Sequence, residues 1–321
     1  MTVAPPRRLT LDLDLEHVRG IVRDLDTTLD PVKVSRLHGG STEVYWIDLE
    51  GGADPLVLKI YGDEPAWAPA KEALVAGLIP SDIGVAIPRW LRVDERRLHL
   101  PLRFALMTWL PGETARTLMA TVDVTRVYHQ MGEVLRRLHH IPMSAYGYIG
   151  ATGVMAPEPT NDAYMRRAFA SAFRQFRDQC GDADLARRLE IEAQSRFELL
   201  ACSAGPVLCH DDFHQGNVLV TGDSADNFQV SGLVDFGNAR AGDALIDLAK
   251  ALMCSTHEDP RSPEALVAGY GKIDHPDPDE AIWLYTLFHR VSMYNWLTRL
   301  GDDPASSGPS GLLRDLTEMG R

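Results

Sequence analysis

The sequence predicts an α+β protein of two lobes, a β-rich N-terminal lobe over 1–110 and a larger helical C-terminal lobe over 111–321. Three observations carry that expectation. Short apolar runs separated by turn residues occupy most of the first 110 positions. From about residue 114 apolar residues recur at helical spacing instead. Later, between Val207 and Lys250, two apolar runs each end in a loop that concentrates Asp, Asn and His.

In chain order, residues 12–29 mix Leu, Val and Ile with charges at a spacing that predicts a helix. Strands are expected over Val32–Leu37, Glu43–Leu49 and Leu56–Tyr61. The first two are joined by His38-Gly39-Gly40-Ser41-Thr42. A Gly-Gly-Ser turn lets backbone N–H groups come close to a phosphate, although the same letters also suit an ordinary hairpin. Lys59 lies inside an apolar strand, Leu56-Val57-Leu58-Lys59-Ile60-Tyr61, where an ammonium needs a specific partner unless the strand is an edge. Glu72 follows in a helical segment over 70–76. Lys71 follows the strand rather than lying in it and is not the favoured lysine. Strands are expected again over Pro88–Val93 and Leu98–Leu110, with a turn at Asp94–Arg97. The second runs through Met107, Thr108 and Trp109 into a Pro111-Gly112 turn.

Beyond that turn Val127, Met131, Val134, Leu135 and Leu138 mark one face of a helix. Residues 162–179 and 184–201 carry similar stripes, read as core. His139 and His140 are adjacent and point apart on a helix, so they read as structural or exposed rather than as a metal pair. A helix is expected over 244–254, beside Asp243, and 251–321 reads as mostly helical, richest in apolar residues from Ile282 to Leu300. Gly301–Gly311 reads as a connection to a last short helix.

Composition excludes some classes of function. A formal net charge of −13 argues against nucleic acid as a main partner and is compatible with a cationic small substrate. No apolar run approaches the roughly 18 residues a membrane span needs, so no membrane partner is expected. The N-terminus has no apolar stretch of signal-peptide length. Cys180, Cys202, Cys209 and Cys254 are scattered, which suits reduced thiols in a cytoplasmic protein.

The stretch from Val207 to Lys250 carries the chemistry. It reads VLCHDDFHQGNVLV, then, after a variable turn, GLVDFGNARAGDALIDLAK. The first loop sets Asp212 and Asn217 five positions apart, after His210; the second sets Asp235 before Phe236-Gly237. Phosphoryl transfer needs a carboxylate beside the attacking hydroxyl and oxygen ligands for the metal that neutralises the phosphates. Both loops together, in this order, supply that set.

The stretch resembles the aminoglycoside phosphotransferase family, within a kinase-like superfamily that includes choline kinases. That family carries His-Gly-Asp-x-x-x-x-Asn, a strand ending in Asp, then Gly-Asp-x-x-x-Asp-Leu-Ala. Here these are His210, Asp212 and Asn217, then Asp235, then Gly242, Asp243, Asp247, Leu248 and Ala249. Asp211 stands where the family usually has Gly, and Asp adopts positive φ less freely. A protein kinase fits worse: twelve positions separate Asp235 from Asp247, too few for an activation segment.

The resemblance implies a two-lobe protein-kinase-like fold and transfer of the γ-phosphate of ATP (or GTP), with Mg²⁺, to a hydroxyl of a small molecule. It implies that Asp212 orients or deprotonates that hydroxyl, that His210 braces the loop, and that Asn217 and Asp235 hold the metal. Lys59 would contact the phosphates and pair with Glu72; Gly39, Gly40 and Ser41 would border them; the backbone around Met107 and Trp109 would meet the base. Asp247 reads as structural, fixing the catalytic loop. An aminoglycoside is the first expectation for the acceptor. The alternatives are a metabolite kinase acting on an amino sugar, amino alcohol or homoserine, and a nucleotide-binding pseudokinase. A cationic acceptor would meet carboxylates of the C-terminal lobe, where 251–321 hold eleven acidic and six basic residues.

Overall fold

Helix α1, Leu15–Leu25, begins at Asp14, whose carboxylate accepts the His17 amide. A computed structural model describes residues 13–37, 42–62, 65–118, 124–222, 227–301 and 311–321. Gly39, Gly40 and Ser41 lie outside the described residues, as does the 302–310 connection. After α1 come β1 (Pro31–Leu37), β2 (Glu43–Leu49) and β3 (Leu56–Tyr61), then α2 (Ala68–Leu78), β4 (Trp90–Asp94) and β5 (Arg103–Thr108). The five strands form one antiparallel sheet in the order β1-β2-β3-β5-β4.

Strand β3 is central and buried along its whole length, because both faces of the sheet are covered. Leu56, Leu58 and Ile60 pack with Val18, Ile21 and Val22 of α1. Val57, Lys59 and Tyr61 alternate onto the other face. There Val57 and Tyr61 join Ala105 and Met107, with Trp109 against them. Lys59 is therefore not an edge-strand lysine.

The C-terminal part is mainly helical. It begins with a two-residue strand, β6 (Glu113–Thr114), and one turn of helix, α3 (Ala115–Leu118). Then come α4 (Val124–Leu138), the hairpin of β7 (Tyr146–Gly150) and β8 (Gly153–Glu158), α5 (Asn161–Gln179) and α6 (Ala183–Gln194). The next four strands are β9 (Val207–Cys209), β10 (Val218–Thr221), β11 (Gln229–Leu233) and β12 (Arg240–Gly242). The chain ends in α7 (Ala244–Glu258), α8 (Ser262–Tyr270), α9 (Pro278–Leu300) and α10 (Leu312–Met319). The helices share one large core that includes Phe169, Phe173, Phe176, Tyr285 and Phe288. Two glycines let α4 and α8 touch backbone to backbone. A Cβ on Gly132 would stand 2.1 Å from the Leu266 carbonyl, and one on Gly269 would stand 1.8 Å from that of His129.

The strands around the two polar loops are not paired as the sequence suggests. The run before His210 and the run after Asn217 look like two arms of one hairpin. They belong instead to different sheets, β8-β7-β12-β9 and β11-β10-β6. The first loop therefore bridges two sheets, and the second connects β11 of one to β12 of the other. Each end of each loop is held by a strand, which fixes the loops relative to one another. Ala86, after α2, bridges to β11 through hydrogen bonds with Ser231 and Leu233, so the upper and lower parts meet beside these loops.

Candidate active site

The turn after β11 brings Asp235 to Lys59. Lys59 Nζ donates to both Glu72 oxygens, at 2.8 and 2.9 Å, and to Asp235 Oδ1 at 2.9 Å. Burial works against the ammonium charge, but the Asp235 and Glu72 carboxylates outweigh it and hold the Lys59 pKa well above its usual value. The same contact pulls the Asp235 carboxyl down to about 2, so it is ionised at every working pH. Glu72 is buried, whereas the Asp235 side chain is 43% exposed and remains open to the cleft. Asp235 has φ +66 and precedes a 3-10 turn, Phe236–Asn238.

The loop from His210 to Asn217 is braced from beneath. Asp247, in the first turn of α7, is fully buried and accepts the backbone N–H of His210 at 2.5 Å and of Asp211 at 2.9 Å. His139 Nε2–H donates to Asp247 at 3.2 Å, while His139 Nδ1 accepts from the Tyr270 hydroxyl at 2.8 Å. Burial opposes the Asp247 charge, but the hydrogen bonds from His139 and the His210 amide hold its pKa below the usual range. His210 Nε2 donates to the Val234 carbonyl at 3.0 Å, tying this loop to the strand end that carries Asp235. Its ring packs on Phe213 and Phe236.

Asp212 points out of the loop with its side chain 25% exposed. The amide nitrogen of Asn217 donates to the Asp212 carbonyl at 2.9 Å, so its oxygen is the atom available to a metal. Hard oxygen donors of this kind, a carboxylate and an amide, suit Mg²⁺ completed by phosphate and water. Met107 and Trp109 lie at the end of β5, on the same cleft face as Lys59. Trp109 stacks on Trp46 of β2, ring centroids 5.4 Å apart.

Several site residues are not apparent in the sequence. Asp211, with φ +58, buries its carboxylate against the Arg240 guanidinium of β12. Arg240 also donates to the Tyr164 hydroxyl at 3.3 Å. The residue in the family's glycine position thus adopts the backbone a glycine would, and its side chain has a built partner. The signal was the departure from the motif itself, but nothing in the letters pointed to Arg240. Lys71 Nζ donates to the Gly237 carbonyl at 2.7 Å. His214 Nε2 stands 3.8 Å from Asp212. Its Nδ1 accepts the Gly216 amide at 2.9 Å, and burial lowers the His214 pKa.

One further cluster resembles a metal site and is better explained otherwise. His139, Cys209 and Asp247 hold ligand atoms within 4.8 Å of one another. Asp247 is already committed to two amides and a histidine, and burial pushes the Cys209 thiol well up, so it stays protonated. The cluster is a structural brace. All four cysteines are free. Among the described residues no helix is long and apolar enough to cross a membrane.

The sequence model of the phosphotransferase enzyme family matches residues 33–284, and the chain belongs to that family. It is an enzyme that transfers a phosphoryl group to an alcohol group of a small molecule. Among solved structures, aminoglycoside phosphotransferase APH(4)-Ia is similar at 17% identity, with a TM-score of 0.74 over 96% of this chain and 100% of that one. A thermostable mutant of the same enzyme, in a ternary complex with ADP and hygromycin B, gives a TM-score of 0.72 at 17% identity, over 94% of this chain and 98% of that one. The GDP and kanamycin complex of APH(2")-IIia gives 0.66 at 19% identity, over 94% of this chain and 98% of that one. At these identities the likeness is one of fold, the kinase-like fold of a β-sheet region above a helical part. A search of curated proteins found no match.

Proposed function

We propose that this protein transfers the γ-phosphate of ATP or GTP, with Mg²⁺, to a hydroxyl of an aminoglycoside. The observation that supports it most is the convergence of Lys59 of β3, Glu72 of α2 and the distant Asp235 onto one cleft, with the Asp212–Asn217 loop tied to the same strand end. Asp235 and the Asn217 oxygen would hold Mg²⁺, which when bound neutralises charge on the phosphates. Lys59, oriented by Glu72, meets phosphate oxygens. Trp46, Met107 and Trp109 border the base, and Gly39, Gly40 and Ser41 would approach the phosphates with backbone N–H groups.

In the reaction the acceptor oxygen attacks the γ-phosphorus, the bond from that phosphorus to the β–γ bridging oxygen breaks, and the nucleoside diphosphate leaves. Asp212 accepts a hydrogen bond from the acceptor hydroxyl and takes its proton as the new P–O bond forms. His210 keeps the loop fixed to Val234 and does not touch the reacting atoms. Most of the rate would come from positioning and charge stabilisation. A division into a nucleotide-binding lobe (1–110) and a catalytic and substrate-binding lobe (111–321) is part of this reading. A cytoplasmic site of action is part of the same reading, since that is where the nucleotide is abundant.

A second reading, a metabolite kinase, is favoured by basic groups near Asp212. Lys250 is drawn upward in pKa, against burial, by Cys254, Asp212 and Asp211; Lys250 and Arg116 both act on His214, although Arg116 is itself paired with Glu258 at 2.8 Å. Such groups suit an acceptor that is not a dense polycation. A nucleotide-consumption screen over aminoglycosides and small hydroxyl metabolites, with ATP and with GTP, separates the two. Turnover with an aminoglycoside sustains the first reading, and turnover confined to metabolites replaces it with the second. Nucleotide binding without turnover on any acceptor would point to a pseudokinase.

A further inference from the structure

Lys71 stands next to Glu72 in α2 and is fully buried. Its ammonium donates to the Gly237 carbonyl at 2.7 Å and lies 3.5 Å from the centroid of the Tyr148 ring, with Trp67 at 5.7 Å. Tyr148 comes from β7, and its hydroxyl donates to the same Gly237 carbonyl at 3.1 Å. Among the described residues no carboxylate lies within ion-pairing distance of Lys71. Burial, with Arg240 adding to it, lowers its pKa to about 7. A buried cation whose direct contacts are a carbonyl and aromatic faces, with the Asp211, Glu72 and Asp235 carboxylates acting from beyond ion-pairing distance, is costly, and an apolar side chain of the same volume would serve packing better. What the fold gains is a grip on one carbonyl, two residues beyond Asp235.

That turn is tightly built. A Cβ on Gly237 would stand 3.3 Å from Asp235 Oδ1 and 3.4 Å from Glu72 Oε1, so the turn lies close against both carboxylates. Lys59 holds the turn by the Asp235 carboxylate on one side of Phe236, and Lys71 holds it by the backbone on the other.

We propose that Lys71 is a positioning residue for the metal-binding turn, which with Tyr148 fixes the Gly237 carbonyl and thereby the stance of the Asp235 carboxylate. This rests on the reading of Asp235 as a Mg²⁺ ligand. The test is calorimetric titration of nucleotide binding against Mg²⁺ in full-length Lys71→Met, Lys71→Arg, Tyr148→Phe and Asp235→Ala, with unfolding measured in parallel. Lys71→Met should fold at least as stably as the wild type, while its Mg²⁺-dependent nucleotide affinity falls about tenfold, the scale of one lost charge-assisted hydrogen bond. Metal-free nucleotide binding should not change, Lys71→Arg should recover part of the loss, and Tyr148→Phe should shift in the same direction by less. A merely structural lysine would change stability and leave the Mg²⁺ dependence where it was. A folded Lys71→Met with wild-type Mg²⁺ dependence overturns the proposal; if that variant does not fold, an unshifted Tyr148→Phe overturns it instead. Wild-type Mg²⁺ dependence in Asp235→Ala would show that the metal assignment itself had failed, a result separable from the other two.

Discussion

Two buried lysines serve one turn, and they respond to pH in opposite ways. Lys59 has two carboxylates and keeps its proton. Lys71 has none at ion-pairing distance; burial and Arg240 outweigh the more remote Asp211, Glu72 and Asp235, and its pKa of about 7 in the folded protein lies far below the value of about 10.4 for an unfolded chain. Between those values the unfolded chain binds more protons, so stability should rise with pH. Urea unfolding at about pH 7 and about pH 9 should show the wild type gaining stability relative to Lys71→Met. Equal slopes in the two proteins would contradict the buried, carboxylate-free placement of Lys71. Asp235 gives the acid-side counterpart. Its pKa is depressed to about 2 by Lys59, so its contribution is full above about pH 4 and lost as pH falls towards about 2. Asp235→Asn should therefore flatten the acid limb of the stability curve in that window, and an unchanged limb would count against the Lys59 contact. Lys59 was legible in the sequence because an ammonium inside an apolar strand needs a specific partner, and Glu72 through the family resemblance, which pairs a strand lysine with a helix glutamate. Lys71 was not, since a lysine on a helix usually reaches solvent and only the approach of β7 and the 236–238 turn closes it in.

At the scale of elements, the Asp211–Arg240 pair joins the Asp212 loop to β12, with Asp211 buried and the Arg240 side chain 11% exposed. Removing one partner strands the other, which typically costs about 3–5 kcal/mol. Arg240→Met should therefore be strongly destabilising. The double variant Asp211→Gly, Arg240→Met should recover much of the loss, because glycine takes the φ of +58 freely and no charge is left buried. Chemical unfolding of both singles and the double measures the coupling, and additive losses would mean the pair is not one unit. The helices and the central strands could be read from periodicity. Strands β2 and β3 lie where alternation and apolar runs place them, Glu43–Leu49 and Leu56–Tyr61. The pairing around the site could not, since Val207–Cys209 and Val218–Thr221 look like neighbours but find partners in different sheets. Register between distant segments leaves little trace in local letters. Strands β7 and β8 escaped notice for a related reason: Gly147, Gly150, Gly153 and Pro157 dilute the strand signal, although β7 supplies Tyr148 to the site.

At the scale of the molecule, the formal charge of −13 and the acidic excess after residue 250 favour a cationic acceptor, while Lys250 sets the opposite sign near Asp212. Charges facing each other across an exposed cleft are screened over about 10 Å at about 0.1 M salt. If carboxylates of the C-terminal part supply acceptor affinity, acceptor KM should rise with ionic strength while nucleotide affinity changes less. Steady-state kinetics in increasing salt decides it, and a KM that does not move, or a preferred neutral acceptor, rules out the electrostatic account of acceptor binding.

The central claim is that the loop braced by Asp247 presents Asp212 to an acceptor hydroxyl beside a nucleotide held by Lys59 and Asp235. Asp212→Asn is nearly isosteric and lies in a polar, part-exposed position, so the fold should persist. The direct measurement is single-turnover phosphoryl transfer to the best acceptor of the screen, alongside calorimetry of Mg²⁺-nucleotide binding. Asp212→Asn should lower the transfer rate by about a hundredfold or more while nucleotide affinity stays at the wild-type value. A near-normal transfer rate in that variant would remove Asp212 from the chemistry and contradict the account.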